Sequence, residues 1–347
     1  MKVFVTGGCG FLGSHVCEYF IKMGHEVISL DNMTKHEIDR TGFAPDAARN
    51  FNWNYLEKLG VKMVLDDVRN LESLMDYASD CDYIIHTAAQ PAMTISWEDP
   101  LLDFTSNVMG TFNCLEVARR HKIPIASCAS VHVYGNSIND TLKEGHNRWV
   151  RTPPGVDENY PTLGGVLTPL HASKAAGDIY TKVYIDTYNL KAASFRLTGI
   201  YGTRQFGGED HGWVANFSIR ALMDWPITIF GKGFQVRDII YATDVCEAFD
   251  AFYHGGKPGI YNIGGGEKTA ISLLGCIDII GEINGIAPNV RFEKDRHGDL
   301  RYFVCDISKA QKDLGWSPKV MPHDGIEMLI DWVSENKNLF DGKDIKK

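Results

Sequence analysis

The sequence predicts an α/β protein: a doubly wound parallel sheet with a smaller, mostly C-terminal α/β domain beside it. Strand-like and helix-like stretches alternate five times before residue 136, a glycine-punctuated turn follows the first strand, and the second strand ends on an acid. Residues 2–6 are a short apolar strand. Gly7, Gly10 and Gly13 come next, with Phe11 and Leu12 opening a helix that runs to Lys22. Residues 25–30 are a second strand ending on Asp31, followed by Asn32. In such a βαβ unit Gly7 makes the tight turn, Gly10 lets the backbone approach a pyrophosphate, and Gly13 lets helix and strand pack closely. The helix start offers free N–H groups and a positive dipole end to the anion. Asp31 can accept from a ribose 2′-OH and would repel a 2′-phosphate, so the expected dinucleotide is NAD rather than NADP.

The chain of 347 residues is long enough for about two domains, and 44% hydrophobic with 23% charged residues is ordinary for a globular protein. A net charge of −9 argues against nucleic acid or an anionic membrane as partner. The eight cysteines are scattered without a CxxC pair, as expected of buried free thiols in a reducing compartment. The histidines show no HExxH spacing, so no metal site is expected. The first strand begins at residue 2, leaving no room for a signal peptide, and no apolar run reaches the length of a membrane span. The expected location is cytoplasmic.

Further along, a helix is expected at 50–59 and a third strand at 61–65, ending near Asp67 and Val68. Asp67 suits either the adenine amino group or the N-cap of the following helix. The fourth strand, 83–89, runs into Ala88, Ala89 and Gln90, whose small alanines would let a cofactor lie close at the sheet's switch point. One long helix carrying Asn107 is expected over 99–121, and a fifth strand over 124–130. Residues 136–170 break the rhythm with prolines and glycines, and so long a connection reads as a loop edging the active site. A helix at 171–188 and a strand at 192–197 follow, then strands at 227–230 and 235–241 around a turn, and a closing helix at 321–336. The tail 341–347 is charged and expected to fray. Residues 1–195 and 236–264 are expected to form the NAD-binding Rossmann domain, and 196–235 with 265–347 the second domain.

With those residues in view, the chain resembles the extended short-chain dehydrogenase/reductases, specifically the nucleotide-sugar epimerases and dehydratases. Thr6 to Gly13, Asp31-Asn32-Met33, Asp67-Val68-Arg69, His86 to Gln90, Asn107 to Thr111, Val133-Tyr134-Gly135, Val236-Arg237-Asp238 and Asn262 to Gly265 carry the resemblance. The residues from Pro91 to Ser96, Tyr201 to Phe206, His211 to Val214 and Trp316 to Val320 are similar to the CDP-tyvelose (CDP-paratose) 2-epimerase branch. The resemblance implies tightly held NAD, a nucleotide diphosphosugar substrate, a homodimer through paired helices, and inversion of a sugar carbon by transient oxidation. It also implies a Tyr-x-x-x-Lys pair for proton work and a Ser or Thr on the fifth strand.

Here the pattern breaks. The chain reads Leu170-His171-Ala172-Ser173-Lys174, so the lysine is present and His171 stands where the tyrosine belongs; the Ser/Thr position is Ser130. A neutral imidazole can take a proton as base and return it as acid. Other readings stay open: His132 or Tyr134 takes the proton, the protein binds NAD without turnover, or the histidine replaces an original tyrosine. For the substrate, Arg237 and Arg301 match positions that grip the diphosphate in this family, with guanidinium forks suited to phosphate oxygens. Ion pairs with Asp238 and Asp299 are the plainer alternative. Arg204, Gln205 and Thr94 are candidates to line the sugar pocket.

Overall fold

The computed structural model describes residues 1–340 apart from 36, 37, 39, 40, 42, 44 and 297; the charged tail 341–347 lies outside the described residues. The first half runs β1 (Lys2–Thr6), α1 (Phe11–Lys22), β2 (Glu26–Asp31), α2 (Pro45–Lys58), β3 (Lys62–Leu65), α3 (Leu71–Ala78), β4 (Tyr83–His86), α4 (Met93–Glu98), α5 (Pro100–Asp103), α6 (Gly110–His121) and β5 (Ile125–Ser130). A small hairpin, β6 (Lys143–Glu144) and β7 (Trp149–Val150), precedes α7 (Pro169–Tyr188) and β8 (Ala192–Leu197). The remainder is β9 (Gly199–Tyr201), α8 (Trp213–Leu222), β10 (Ile227–Phe230), β11 (Val236–Tyr241), α9 (Ala242–Gly255) and β12 (Gly259–Ile263). It closes with β13 (Ala270–Ser272), α10 (Leu273–Asn284), β14 (Val290–Glu293), β15 (Tyr302–Phe303), α11 (Ser308–Leu314) and α12 (Pro322–Glu335).

Seven of these strands form one parallel sheet in the order β12-β8-β5-β4-β1-β2-β3. The order reverses between β1 and β4, the switch point at which such sheets open a crevice. Side chains alternate across the sheet. Val3, Val5, Tyr83 and Ile85 pack with Phe20, Phe249 and Phe252 on one face. Phe4, Ile28, Ile84 and Ile125 pack with Leu74 and Leu115 on the other. Burial on both faces explains why these strands read as apolar runs.

A second set of elements has its own core. Ile219, Ile227, Ile229, Ile280, Leu329 and Val333 lie in it, drawn from α8, β10, α10 and α12. β11, within the stretch 236–264 expected to belong to the NAD-binding domain, pairs with β13, β15 and β9 rather than with a strand of the large sheet, which the chain rejoins at β12. Nor do β10 and β11 face each other around their turn. β10 pairs with β14, because Gly231 and Gly233 at φ 78° and 75° swing the chain aside.

Two other expectations change. The helix foreseen over 99–121 runs unbroken from Pro100 to His121 under an Asp99 cap, but a π-helical stretch at Phe104–Met109 widens it between α5 and α6. The connection at 136–168 is not bare loop. It holds the β6–β7 hairpin and bonds to the second set of elements (Trp149 N–H to Phe234 O, Val156 N–H to Val304 O, Asn136 Nδ2 to Gly298 O) and to β12 of the large sheet, where Glu158 Oε1 accepts from Asn262 N–H.

Buried imidazoles make this fold sensitive to acid. Burial pushes His15 and His86 down to about 3. The unfolded chain therefore binds more protons than the folded one below the ordinary histidine value of about 6.5, and stability falls as pH drops from there toward 3. Melting curves between pH 7 and 4.5 are expected to show Tm declining. His86→Gln, less stable at pH 7 because both ring nitrogens of His86 are bonded (to Thr6 and Thr111), is expected to decline less steeply.

Candidate active site

At the switch point the glycines leave no room for anything larger. A Cβ on Gly7 would lie 2.6 Å from the Ala88 backbone, and one on Gly13 would lie 2.1 Å from Gly7 O. Gly7 also takes φ 70°. The backbone thus passes beneath a pocket lined by Gly10, Asp31, Asn32, Asp67, Val68, Ala88, Ala89 and Gln90. Phe11 and Leu12 start α1 just after Gly10, where Leu12 packs on the core and the Phe11 ring meets His15 edge-on. The Asp31 carboxylate is held by Cys9 N–H at 2.9 Å and Met33 N–H at 2.8 Å, which fixes its remaining lone pairs for a ribose.

Asp67 is not a helix cap. Asn70 caps α3, while Asp67 accepts from Asn32 Nδ2 and from the Arg69 guanidinium, which hold its carboxyl down at about 2 although partial burial works against this. Gln90 and Asn107 lock each other. Asn107 Oδ1 accepts from Gln90 N–H at 2.9 Å, and Asn107 Nδ2 donates to Gln90 O, Asp103 and Ser173. The sequence reading missed Asp103 and Ser173, although Asp103 and Asn107 stand four residues apart.

The proton-handling residues meet at the carboxyl end of β5. Ser130 ends the strand, and its Oγ accepts from His132 N–H at 3.2 Å. α7 begins at Pro169 with Thr168 extended before it, as a residue preceding proline must be. This puts His171 in the first turn and Lys174 one turn on. His171 Nδ1 accepts from Thr168 N–H at 3.1 Å and lies 2.8 Å from Thr168 Oγ1. The His171 side chain is therefore a helix-capping residue as well, a Thr-x-x-His version of the capping box that the sequence displays and that sequence reasoning passed over. The His132 and His171 rings meet edge to face, centroids 5.3 Å apart. Burial lowers the pKa values of His171 and Lys174. It takes His132 down to about 3, with the charges of His171, Arg237 and Lys174 adding to the effect. Tyr134 is excluded from proton work: its hydroxyl donates to Asn262, receives Arg196, and is driven up by burial.

The substrate candidates divide. Arg237 donates to Val236 O and Leu300 O; burial lowers its pKa, and among the described residues Asp299 and Asp238 act on it through charge without a hydrogen bond or ion pair. Arg301 lies over Trp149 and 3.7 Å from Asp295 rather than against Asp299. Arg204 turns to α1, pairing with Glu18 at 2.6 Å and stacking on Tyr55, partners that do not fit a role facing the sugar. Gln205 donates to Ile200 O, with its Oε1 enclosed and unpartnered. Thr94 reaches Asp210 at 2.8 Å, and the sequence reading missed Arg296, which donates to the neighbouring Glu209 O and covers Phe230 at 3.8 Å.

A sequence model of the NAD dependent epimerase/dehydratase family matches residues 3–264. The chain belongs to that family. It is 33% identical to a CDP-paratose 2-epimerase of Salmonella typhi over 96% of this chain and 99% of that protein. It is 32% identical to a putative UDP-glucose 4-epimerase of Methanocaldococcus jannaschii, again over 96% and 99%. Among solved structures it is similar to the UDP-glucuronic acid 4-epimerase of Bacillus cereus bound to UDP-glucuronic acid and NAD. There the TM-score is 0.81 and the identity 28%, over 97% of this chain and 100% of that one.

The cofactor of this NAD-dependent family fits the residues present: a glycine cradle for a pyrophosphate and an oriented Asp31 for a ribose. Gly13→Ala is expected to push Gly7 out of place, lower NAD affinity at least tenfold by calorimetry and cost about 1–3 kcal/mol of stability. Unchanged NAD binding by that variant would contradict the cradle.

Proposed function

We propose that this chain is an NAD-dependent epimerase of a nucleotide diphosphosugar, and that it inverts carbon 2 of a CDP-sugar. The observation that carries this reading is His171 and Lys174 opening α7 beside Ser130 and the NAD cradle, in a chain matched over 96% of its length by a CDP-paratose 2-epimerase. Bound NAD supplies a hydride acceptor. Lys174 stands one helical turn from His171, where its ammonium can hold the nicotinamide ribose, and Ser130 and His171 bond the reacting hydroxyl. Arg237, hydrogen-bonded to backbone carbonyls rather than to a carboxylate among the described residues, is the cation for the diphosphate, with Arg301 and Thr94 at the rim. Elimination of water would call for a carboxylic acid beside Ser130, and its neighbours are Ala129 and Val131.

The eight free, mostly buried thiols suit a cytoplasmic protein. A homodimer is part of the same reading. Trp97, Leu101, Phe104, Ile179 and Val183 lie exposed on α4, α5, the π-helical turn and α7, an apolar face of the kind that two copies bury.

NMR analysis of products from CDP-, UDP-, GDP- and dTDP-sugars tests the assignment. Inversion of a CDP-sugar by the wild type is expected, with loss of at least a hundredfold in His171→Phe. Turnover that arises only in His171→Tyr would mean that the histidine disables an ordinary epimerase. Silence from both would overturn the reading.

A further inference from the structure

His171 is fixed in one role. Because its Nδ1 accepts the Thr168 backbone N–H, the neutral ring carries its proton on Nε2. A ring so held donates a hydrogen bond and has no lone pair to offer at Nε2. Taking a proton there would require moving its own proton to Nδ1 and stripping the helix of its cap, at a cost of about 1 kcal/mol or more. Oxidising a sugar hydroxyl nonetheless releases a proton that some group must receive.

The neighbouring ring has the opposite situation. His132 sits on the 3-10 turn Val131–Tyr134, against which α7 packs. Its Nδ1 is enclosed without a hydrogen-bond partner, and neither ring nitrogen is bonded to the protein among the described residues. No bond fixes its tautomer. It faces His171 and Lys174 from α7, Arg237 from β11 and Ser130 from β5. Burial above all, with the charges of Lys174 and Arg237 adding to it, keeps the ring neutral, hence able to accept. The two rings meet edge to face at a centroid spacing of 5.3 Å, so His132 stands next to His171 at the same site.

Resting on the epimerase reading above, we propose that His132 is the catalytic base and acid of this site, and that His171 is a fixed hydrogen-bond donor to the same substrate oxygen. NAD, when bound, would supply the acceptor for the C–H hydride and its donor on return to the opposite face. As the sugar hydroxyl becomes C=O, its O–H bond breaks and the proton passes to the unprotonated ring nitrogen of His132. When C=O is reduced again, His132 gives that proton back to the oxygen. Atoms and charge balance across the cycle, and no other reactant is consumed.

Two glutamine substitutions separate the roles. Glutamine at position 171 keeps the capping acceptor and an N–H donor but cannot take a proton, so His171→Gln is expected to lower kcat by up to about tenfold through poorer positioning while the acidic limb of its pH–kcat profile remains. His132→Gln is expected to lose at least a hundredfold in kcat while keeping CDP and NAD affinity, and to lose the acidic limb of the pH–kcat profile. ¹⁵N NMR of the ring nitrogens in the unliganded protein, a readout independent of activity, is expected to show His171 protonated on Nε2 at neutral pH. Near-normal turnover by His132→Gln with a dead His171→Gln, or a His171 protonated on Nδ1, would overturn this assignment and leave the epimerase reading standing. A wild type that turns over none of the nucleotide sugars would remove the epimerase reading itself.

Discussion

Everything in this molecule is arranged around a place where no side chain fits. Gly7 lies against the Ala88 backbone across the switch between β1 and β4, and Gly13 lies against Gly7. Two strand ends and a helix start can then converge with only peptide groups between them, which opens a crevice whose floor is backbone. Asp31, at the end of the adjacent strand β2, is locked by the N–H groups of Cys9 and Met33. The apolar sandwich on either face of the sheet holds these backbone positions, so core packing and cofactor fit are one constraint.

A second constraint sets the chemistry. The proline at the start of α7 forces Thr168 to be extended, and His171 then closes the cap. A tyrosine carries its only acceptor at the far end of the ring and has none where Nδ1 lies, close to the backbone. The histidine therefore stabilises the helix that carries Lys174, and its tautomer is chosen by the backbone. Burial keeps the surrounding groups poised, with His132 held neutral amid Lys174 and Arg237. The network of Asp178, Arg196, Tyr134 and Asn262 beneath them fixes the turn on which His132 sits.

Much of this was legible from residue order because the large sheet is buried on both faces and its strands announce themselves as apolar runs. The glycines at 7, 10 and 13 with Asp31 gave the crevice for the same reason. What could not be read were choices made by long-range pairing. Nothing local tells β11 to join β13 and β15 instead of the large sheet. The π-helical turn that aims Asn107 at Gln90 has no sequence marker in an otherwise helical stretch. Arg204 was misleading because its family-like surroundings say nothing about Glu18 on α1, 186 residues away. The capping role of His171 was available in Thr168-Pro169-Leu170-His171 and was hidden by attention to its catalytic position.

Inversion by transient oxidation, as proposed for this histidine site, makes a definite demand on the fate of hydrogen at the inverted carbon. A nucleotide sugar deuterated at that carbon would be turned over in ordinary water, and the unlabelled sugar in D₂O, with products read by NMR and mass spectrometry. Hydride transfer to NAD and back predicts that the product keeps the substrate's deuterium and takes none from solvent. Loss of the label with solvent deuterium gained would mean that the carbon is deprotonated instead, and would contradict the oxidative mechanism.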